Sequence, residues 1–198
     1  MAIIVDKVQK RKDIALSCKE IFFQNGINDL TISQIAKAAG VGKGTLYDYF
    51  RNKEDIVFEI VNILMLEHNE VKRQKLAEFP TTREKVKEFS SFFYDEEEKE
   101  LRQLYKEFIS ISLVNPAKEM MEFQTQYTND YQKWFEEIFD EGIAKGEITK
   151  DAKVFVQGLF VMAEGMFIKS SVTHTISDVK KEIHQFCDAI FDLIEVKR

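Results

Sequence analysis

Residues 31–50 read TISQIAKAAGVGKGTLYDYF, and the fold turns on them. Thr31 and Gln34 fit a capping box, in which the hydroxyl accepts a backbone N–H and the glutamine reaches back. Ile35 and Ala38 follow at helical spacing, and Ala36 and Ala39 are small enough for a close helix crossing. Gly40 ends this short helix. Val41 reads as a core anchor, and a second short helix covers about Lys43 to Tyr49, with Leu46 and Phe50 four apart and facing inward. Two short helices around a tight turn fit a helix-turn-helix, whose second helix enters the DNA major groove. That helix presents Lys43, Thr45, Tyr47 and Tyr49 beside Gly42 and Gly44. Lysine neutralises phosphate, hydroxyls bond phosphates or base edges, and glycine lets the backbone come close to the duplex. A helical turn in a purely structural domain has the same spacing, so spacing alone leaves both readings open.

Working outward, an upstream helix is predicted from about Val8 to Gln24, with Ile14, Cys18, Ile21 and Phe22 on one face and Gly26 as its stop. Lys10, Arg11 and Lys12 on it serve either solubility or phosphate attraction. Downstream, Ile56, Val57, Ile60, Val61 and Leu64 mark a connecting helix from near Lys53 to about Leu76. Pro80 breaks it, and Thr81 with Glu84 offers a second capping box before a helix to about Tyr94. The acidic run Asp95 to Glu100 is expected to start a helix reaching Leu113. Asn115 and Pro116 read as an N-cap and first helical position. A long helix follows to about Lys145, with Gly146 as its terminal glycine. Two more helices run from about Thr149 to Ser170 and from Ser177 to Glu195. No segment reads as a strand. The expected fold is all-α with about nine helices: an N-terminal helix-turn-helix domain of three helices (1–53) and a C-terminal helical domain for ligand binding and dimerisation (54–198).

Composition narrows the class. The 198 residues are 44% hydrophobic and 31% charged, which disfavours global disorder and a membrane bundle. Net charge is −6, split as +4 over residues 1–53 and −10 over 54–198, so the two ends are suited to different partners. Cys18 and Cys187 supply neither a disulfide scaffold nor a CxxC motif and read as buried small hydrophobes. The N-terminus lacks the apolar core of a signal peptide. The apolar stretch Gly158 to Ile168, interrupted by Glu164, is too short to span a bilayer. These features read as a soluble, cytoplasmic protein without a membrane partner.

Extended to TISQIAKAAGVGKGTLYDYFRNKEDI, residues 31–56, the stretch closely resembles the signature of the TetR family of transcriptional regulators. Thr31, Ile35-Ala36, Ala39-Gly40-Val41, Lys43-Gly44, Leu46-Tyr47, Tyr49-Phe50 and Lys53-Glu54 carry the likeness, and Ala15, Phe22 and Gly26 extend it upstream. Gly142 to Ile148, GIAKGEI, looks like the turn before the family's penultimate helix. The resemblance implies that Thr31 and Lys53 hold phosphates, that Lys43, Thr45, Tyr47 and Tyr49 form the recognition surface, and that Gly44 permits close approach. It also implies a homodimer formed through the last two helices and a small-molecule effector. Two positions depart: Gly42 stands where the family often has serine, and Asp48 puts a carboxylate where a basic, aromatic or polar residue is usual.

The rest of the chain holds no enzyme constellation. His68, His174 and His184 are dispersed, with no metal-ligand spacing, and no nucleophile elbow or phosphate loop occurs, so no catalysis, metal or cofactor is expected. A pocket for a neutral or cationic effector is more plausible, with Phe89, Phe93, Tyr105, Phe108, Met121, Tyr127, Tyr131, Trp134, Met162, Glu164 and Met166 as lining candidates. Each apolar member is equally a core residue by pattern. Glu164 either binds a donor group, pairs internally or faces solvent. Val154, Gly158, Leu159, Val161, Gly165, Ile183, Phe186, Ile190 and Ile194 are candidates to share between core and dimer interface. The leading reading is a dimeric repressor released from its operator by a small molecule; the alternative is a helical interaction or DNA-binding protein without an effector.

Overall fold

Helix formation begins at Asp6, whose carboxylate accepts the N–H groups of Val8 and Gln9 and so caps the first turn. The computed structural model describes residues 6–114 and 118–197, which are all-α. Its helices are α1 (Lys7–Ser17), α2 (Lys19–Asn25), α3 (Ile32–Ala38), α4 (Lys43–Tyr49), α5 (Lys53–Glu78), α6 (Thr82–Phe89), α7 (Lys99–Val114), α8 (Lys118–Ala144), α9 (Val156–Val172) and α10 (Val179–Ile194). The Asn115-Pro116 cap expected from the sequence lies outside the described residues.

Several boundaries differ from expectation for local reasons. The predicted first helix is broken at Cys18, whose N–H is shared between the Ala15 and Leu16 carbonyls, while the Ser17 hydroxyl bonds back to the Asp13 carbonyl. The helix after Thr81 ends at Phe89 and tightens into a 3₁₀ turn, Ser90–Phe93, where the Ser90 hydroxyl reaches the Val86 and Lys87 carbonyls. The acidic run forms a 3₁₀ turn at Glu96–Glu98 before α7 begins. Another 3₁₀ turn, Lys150–Phe155, leads into α9. Both predicted capping boxes are present, at Thr31/Gln34 and Thr81/Glu84.

The chain forms two compact units. One is built from the chain up to Asn69 and from Gln103–Met120; the other comprises Glu70–Arg102 and the chain from Met121 onward. In the first, Phe22, Ile27, Ile35, Leu46, Ile56 and Ile60 are buried to near completeness, and Cys18 sits among them. In the second, Trp134, Phe135, Ile138 and Phe139 of α8 meet Leu159 and Ala163 of α9 and Ile183, Cys187, Phe191 and Ile194 of α10. Burial pushes both thiols up to about 11, leaving them protonated hydrophobes.

The GIAKGEI phrase holds this second core together. Gly142 is where α8 crosses α6: a Cβ there would lie 2.2 Å from the Thr82 hydroxyl oxygen. Glu147 accepts both the N–H and the hydroxyl of Thr82 at 2.7 Å, capping α6 from outside its own sequence. Ile148 is buried, and its neighbours bond the chain end, Thr149 N–H to the Ile194 carbonyl and Val196 N–H to the Glu147 carbonyl. The helical stretch Lys150–Val172, with a mean hydropathy of 1.2 in its most apolar part, is long and apolar enough to cross a membrane, longer than the segment marked off from sequence. Val156, Leu159, Ala163 and Phe167 on it are buried within the protein.

Candidate nucleic-acid interface

Helices α3 and α4 pack on each other around Gly40. Gly40 adopts φ +66°, its N–H bonds the Lys37 carbonyl, and the Val41 N–H bonds the Ala36 carbonyl. This is a Schellman closure, which requires the left-handed conformation that glycine adopts without penalty. Leu46 and Phe50 are buried, which fixes the rotation of α4 and turns its other face outward.

That outward face collects most of the predicted contacts. Lys43, Gly44, Thr45 and Asp48 are exposed, and Tyr47 is 57% exposed, so its ring has no core role; Tyr49 is half-buried. Nothing lies within 4 Å of a Cβ built on Gly44. Helical glycine costs stability relative to alanine, and no packing among the described residues requires it here. Gly42 is the N-cap and, lacking a side chain, makes no capping bond. Thr31 is exposed at the start of α3. Lys53 is committed to internal contacts: its ammonium donates to the Asn28 carbonyl at 2.9 Å and the Leu30 carbonyl at 3.5 Å.

The head is tied together by Arg11, read from sequence only as a surface charge. Its guanidinium bonds Glu59 at 2.8 Å, Asp55 at 3.1 Å and the Tyr49 carbonyl, and lies 4.2 Å from the centroid of the Phe50 ring. One side chain thus joins α1, the C-terminal end of α4 and two turns of α5. Asp55 also accepts the Arg51 N–H, while its own N–H is capped by Asn52. Burial raises the Asp55 carboxyl, but its bonds to Arg51 and Arg11 outweigh burial and hold it below the usual range.

The predicted effector residues fall in both units. In the C-terminal unit, Phe89, Phe93 and Met162 line a cavity with Val86, Phe135, Phe160 and other apolar neighbours; Ser90 is its one hydroxyl. Its volume is about 20 Å³, room for roughly one water and far below the ~300–1,000 Å³ of ligand pockets. Trp134 and Tyr131 pack on Phe89, with ring centroids 5.1 and 6.2 Å away, and Tyr127 stacks on Tyr131 at 6.4 Å. Burial pushes the Tyr127 hydroxyl up to about 12. Met166 packs against the same core, whereas half-buried Glu164 and exposed Met121 are not among the lining residues. Tyr105 and Phe108 belong to the N-terminal unit, where Phe108 is buried 5.7 Å from Phe58.

Beside the cavity, the polar side of α6 is held by ion pairs. Arg83 bonds Glu195 and Asp192 at 2.7 Å and Asp188 at 3.3 Å. Buried Lys72 and half-buried Lys75 both bond Glu88, at 3.1 and 3.0 Å. Burial opposes ionisation of Glu88, but the two ammonium groups prevail and hold its carboxyl below the ordinary range.

The candidates for sharing between core and interface separate by burial. Leu159, Ile183 and Ile194 are core, closed to a partner by α8, α9 and α10 packing, and Ile190 is packed partly against the core. Val154 (76% exposed), Gly158, Val161 and Gly165 form an exposed stripe along the 150–172 stretch that continues to Val172. On α10, Phe186 is exposed, and Leu193, not foreseen from the sequence, is 73% exposed.

Residues 18–60 match the family model described as bacterial regulatory proteins, tetR family. Over these residues the chain carries the DNA-binding region of that family. It is 27% identical over 195 residues, 95% of each chain, to the fatty acid metabolism regulator protein of Bacillus subtilis (strain 168). Among solved structures, a TetR-family transcriptional regulator from Cytophaga hutchinsonii superposes with a TM-score of 0.79 at 17% identity, covering 99% of this chain and 100% of that one. The transcriptional regulator FadR from Bacillus subtilis, in complex with stearoyl-CoA, superposes with a TM-score of 0.62 at 26% identity, covering 91% and 95%.

The match supports a DNA-binding transcriptional regulator. Among the described residues, no group of three or more His, Cys, Asp or Glu side chains is placed to hold a metal ion. The residue most clearly missed by the sequence reading is Arg11. Its signal was present in Asp55 and Glu59, four apart on α5 and facing one cation, but the pairing spans more than 40 positions and has no local mark.

Proposed function

We propose that the chain is a homodimeric, cytoplasmic repressor that reads its operator with Thr31, Lys43, Gly44, Thr45, Tyr47, Tyr49 and Lys53, and that residues 1–53 are the reading domain and 54–198 the effector and dimerisation domain. The observation that carries this is the outward face of α4: an ammonium, hydroxyls and an unobstructed glycine stand exposed together while Leu46 and Phe50 lock the opposite face. Lys43 supplies charge to phosphate, Tyr47 a hydroxyl, and Gly44 the clearance that lets α4 sit deep. Lys53 serves through a proton left over from its two internal bonds. The exposed stripe of Val154, Gly158, Val161 and Gly165, and exposed Leu193 on α10, support pairing of two copies, which places two reading heads on one operator.

For the effector, we propose a fatty acyl thioester. Two likenesses support this: the 27% identical relative is named a fatty acid metabolism regulator, and the 26% identical FadR structure holds stearoyl-CoA. The apolar lining of the cavity suits a hydrocarbon tail better than a cation, and its small volume requires the helices to part on binding. Such a ligand favours a conformation in which the reading heads no longer fit the operator, a population shift. The test is a titration of an operator duplex, selected from genomic DNA by the purified protein, over a salt series with and without stearoyl-CoA. Wild type is expected to release the operator as stearoyl-CoA is added. Lys43→Ala is expected to bind more weakly with a salt slope smaller by about one counterion. Operator binding indifferent to both the ligand and Lys43 contradicts the reading.

A further inference from the structure

The turn between α2 and α3 is held from two sides. Glu107, on α7, accepts the Ile27 N–H at Oε2, 2.9 Å away. Gly26 makes room for it: a Cβ at that position would lie 3.2 Å from Oε2 and 3.4 Å from Oε1, and the residue adopts φ +74°. From α5, Lys53 holds the Asn28 and Leu30 carbonyls of the same turn. Ile27 and Leu30 are buried, so the segment has little slack, and it delivers the chain to Thr31, the cap of α3.

We propose that Glu107 is a positioning residue for DNA reading, fixing through the Ile27 amide where α3, and α4 packed on it, present their outward face. The inference rests on that face being the operator-reading surface. Glu107 lies in Gln103–Val114, the part of α7 that belongs to the same compact unit as the turn, so the contact is internal to that unit.

Charge and position make opposite predictions here. Removing a carboxylate from a DNA-binding protein should, by Coulomb attraction alone, strengthen its binding to a polyanion. If Glu107 positions the turn, Glu107→Ala weakens it instead. The experiment measures binding of the full-length protein to an operator duplex selected from genomic DNA and to a random-sequence duplex of equal length. Glu107→Ala is expected to lose about 3–10-fold in operator affinity with random-duplex affinity unchanged or higher. Glu107→Gln, which keeps an acceptor oxygen at the same reach, is expected to stay near wild type. Glu107→Asp, which keeps the charge but falls one methylene short, is expected to bind like the alanine variant. Should the alanine variant fail to fold, the Gln and Asp pair carries the same contrast. Operator affinity equal to or above wild type in Glu107→Asp overturns the proposal, as does Glu107→Gln binding as weakly as Glu107→Asp. Wild type failing to prefer any operator overturns the reading of the surface itself, a result distinct from both.

Discussion

At the scale of single residues, the informative positions are those where local stability and function disagree. Gly44 is one. A helical glycine on an exposed face costs about 0.5–1 kcal/mol relative to alanine, and nothing among the described residues stands where a methyl group would go. Gly44→Ala is therefore expected to raise the melting temperature while weakening operator binding, because the added methyl group meets the duplex instead. Equal or tighter operator binding by the stabilised variant would remove Gly44 from the interface. Arg11 disagrees in the other direction. A basic side chain in a basic N-terminal segment invites assignment to phosphate, yet its guanidinium is spent on Asp55, Glu59 and the Tyr49 carbonyl. Charge read along a sequence gives an ion's sign but not its partner, which is why the role of Arg11 was not legible.

At the scale of elements, two contacts define α6. Gly142→Ala drives a methyl group into Thr82, which is buried and bonded to Glu147, and overpacking of this kind costs about 1–3 kcal/mol. Chemical denaturation should show that loss, and the double variant Gly142→Ala/Thr82→Ala should recover part of it. The second contact is Glu88 between Lys72 and Lys75. Its carboxyl lies below the ordinary glutamate value of 4.5, so its contribution is fully present above that value and lost as pH falls through the folded-state value. Glu88→Gln should lower stability at neutral pH and flatten its acid dependence, measured by denaturation at several pH values; an unchanged acid limb would contradict the pairing.

Helices were mostly legible because periodicity and caps are local: Thr31/Gln34 and Thr81/Glu84 could be read from four residues each. The break at Cys18 and the 3₁₀ turns at Ser90–Phe93 and Lys150–Phe155 were not. They come from hydroxyls bonding back to carbonyls or from packing against distant helices, and neither disturbs the apolar period.

At the scale of the whole molecule, the helix-turn-helix was legible in the sequence, but the C-terminal apolar residues could not be sorted there. Leu159, Val161 and Ile183 look alike in sequence; only the packing of α8, α9 and α10 buries two of them and leaves Val161 outside. The exposed set gives a cleaner probe of assembly than any buried residue. Leu193→Glu places a charge on a side chain already in solvent, so the monomer should melt as wild type does. If two copies pair through that face, burying the carboxylate opposes association. Sedimentation over a concentration series should then show more monomer, together with weaker operator binding. A fully dimeric variant would move the interface elsewhere.

The central claim is that paired outward faces of α3 and α4 read a specific DNA sequence. Enrichment of genomic fragments by the purified protein tests it most directly. The account predicts an inverted repeat whose half-site centres lie about one helical turn of DNA, ~34–36 Å, or a multiple apart, with enrichment lost in the Lys43→Ala/Tyr47→Ala variant. Recovery of no sequence above random, or of the same repeat by that variant, would contradict it.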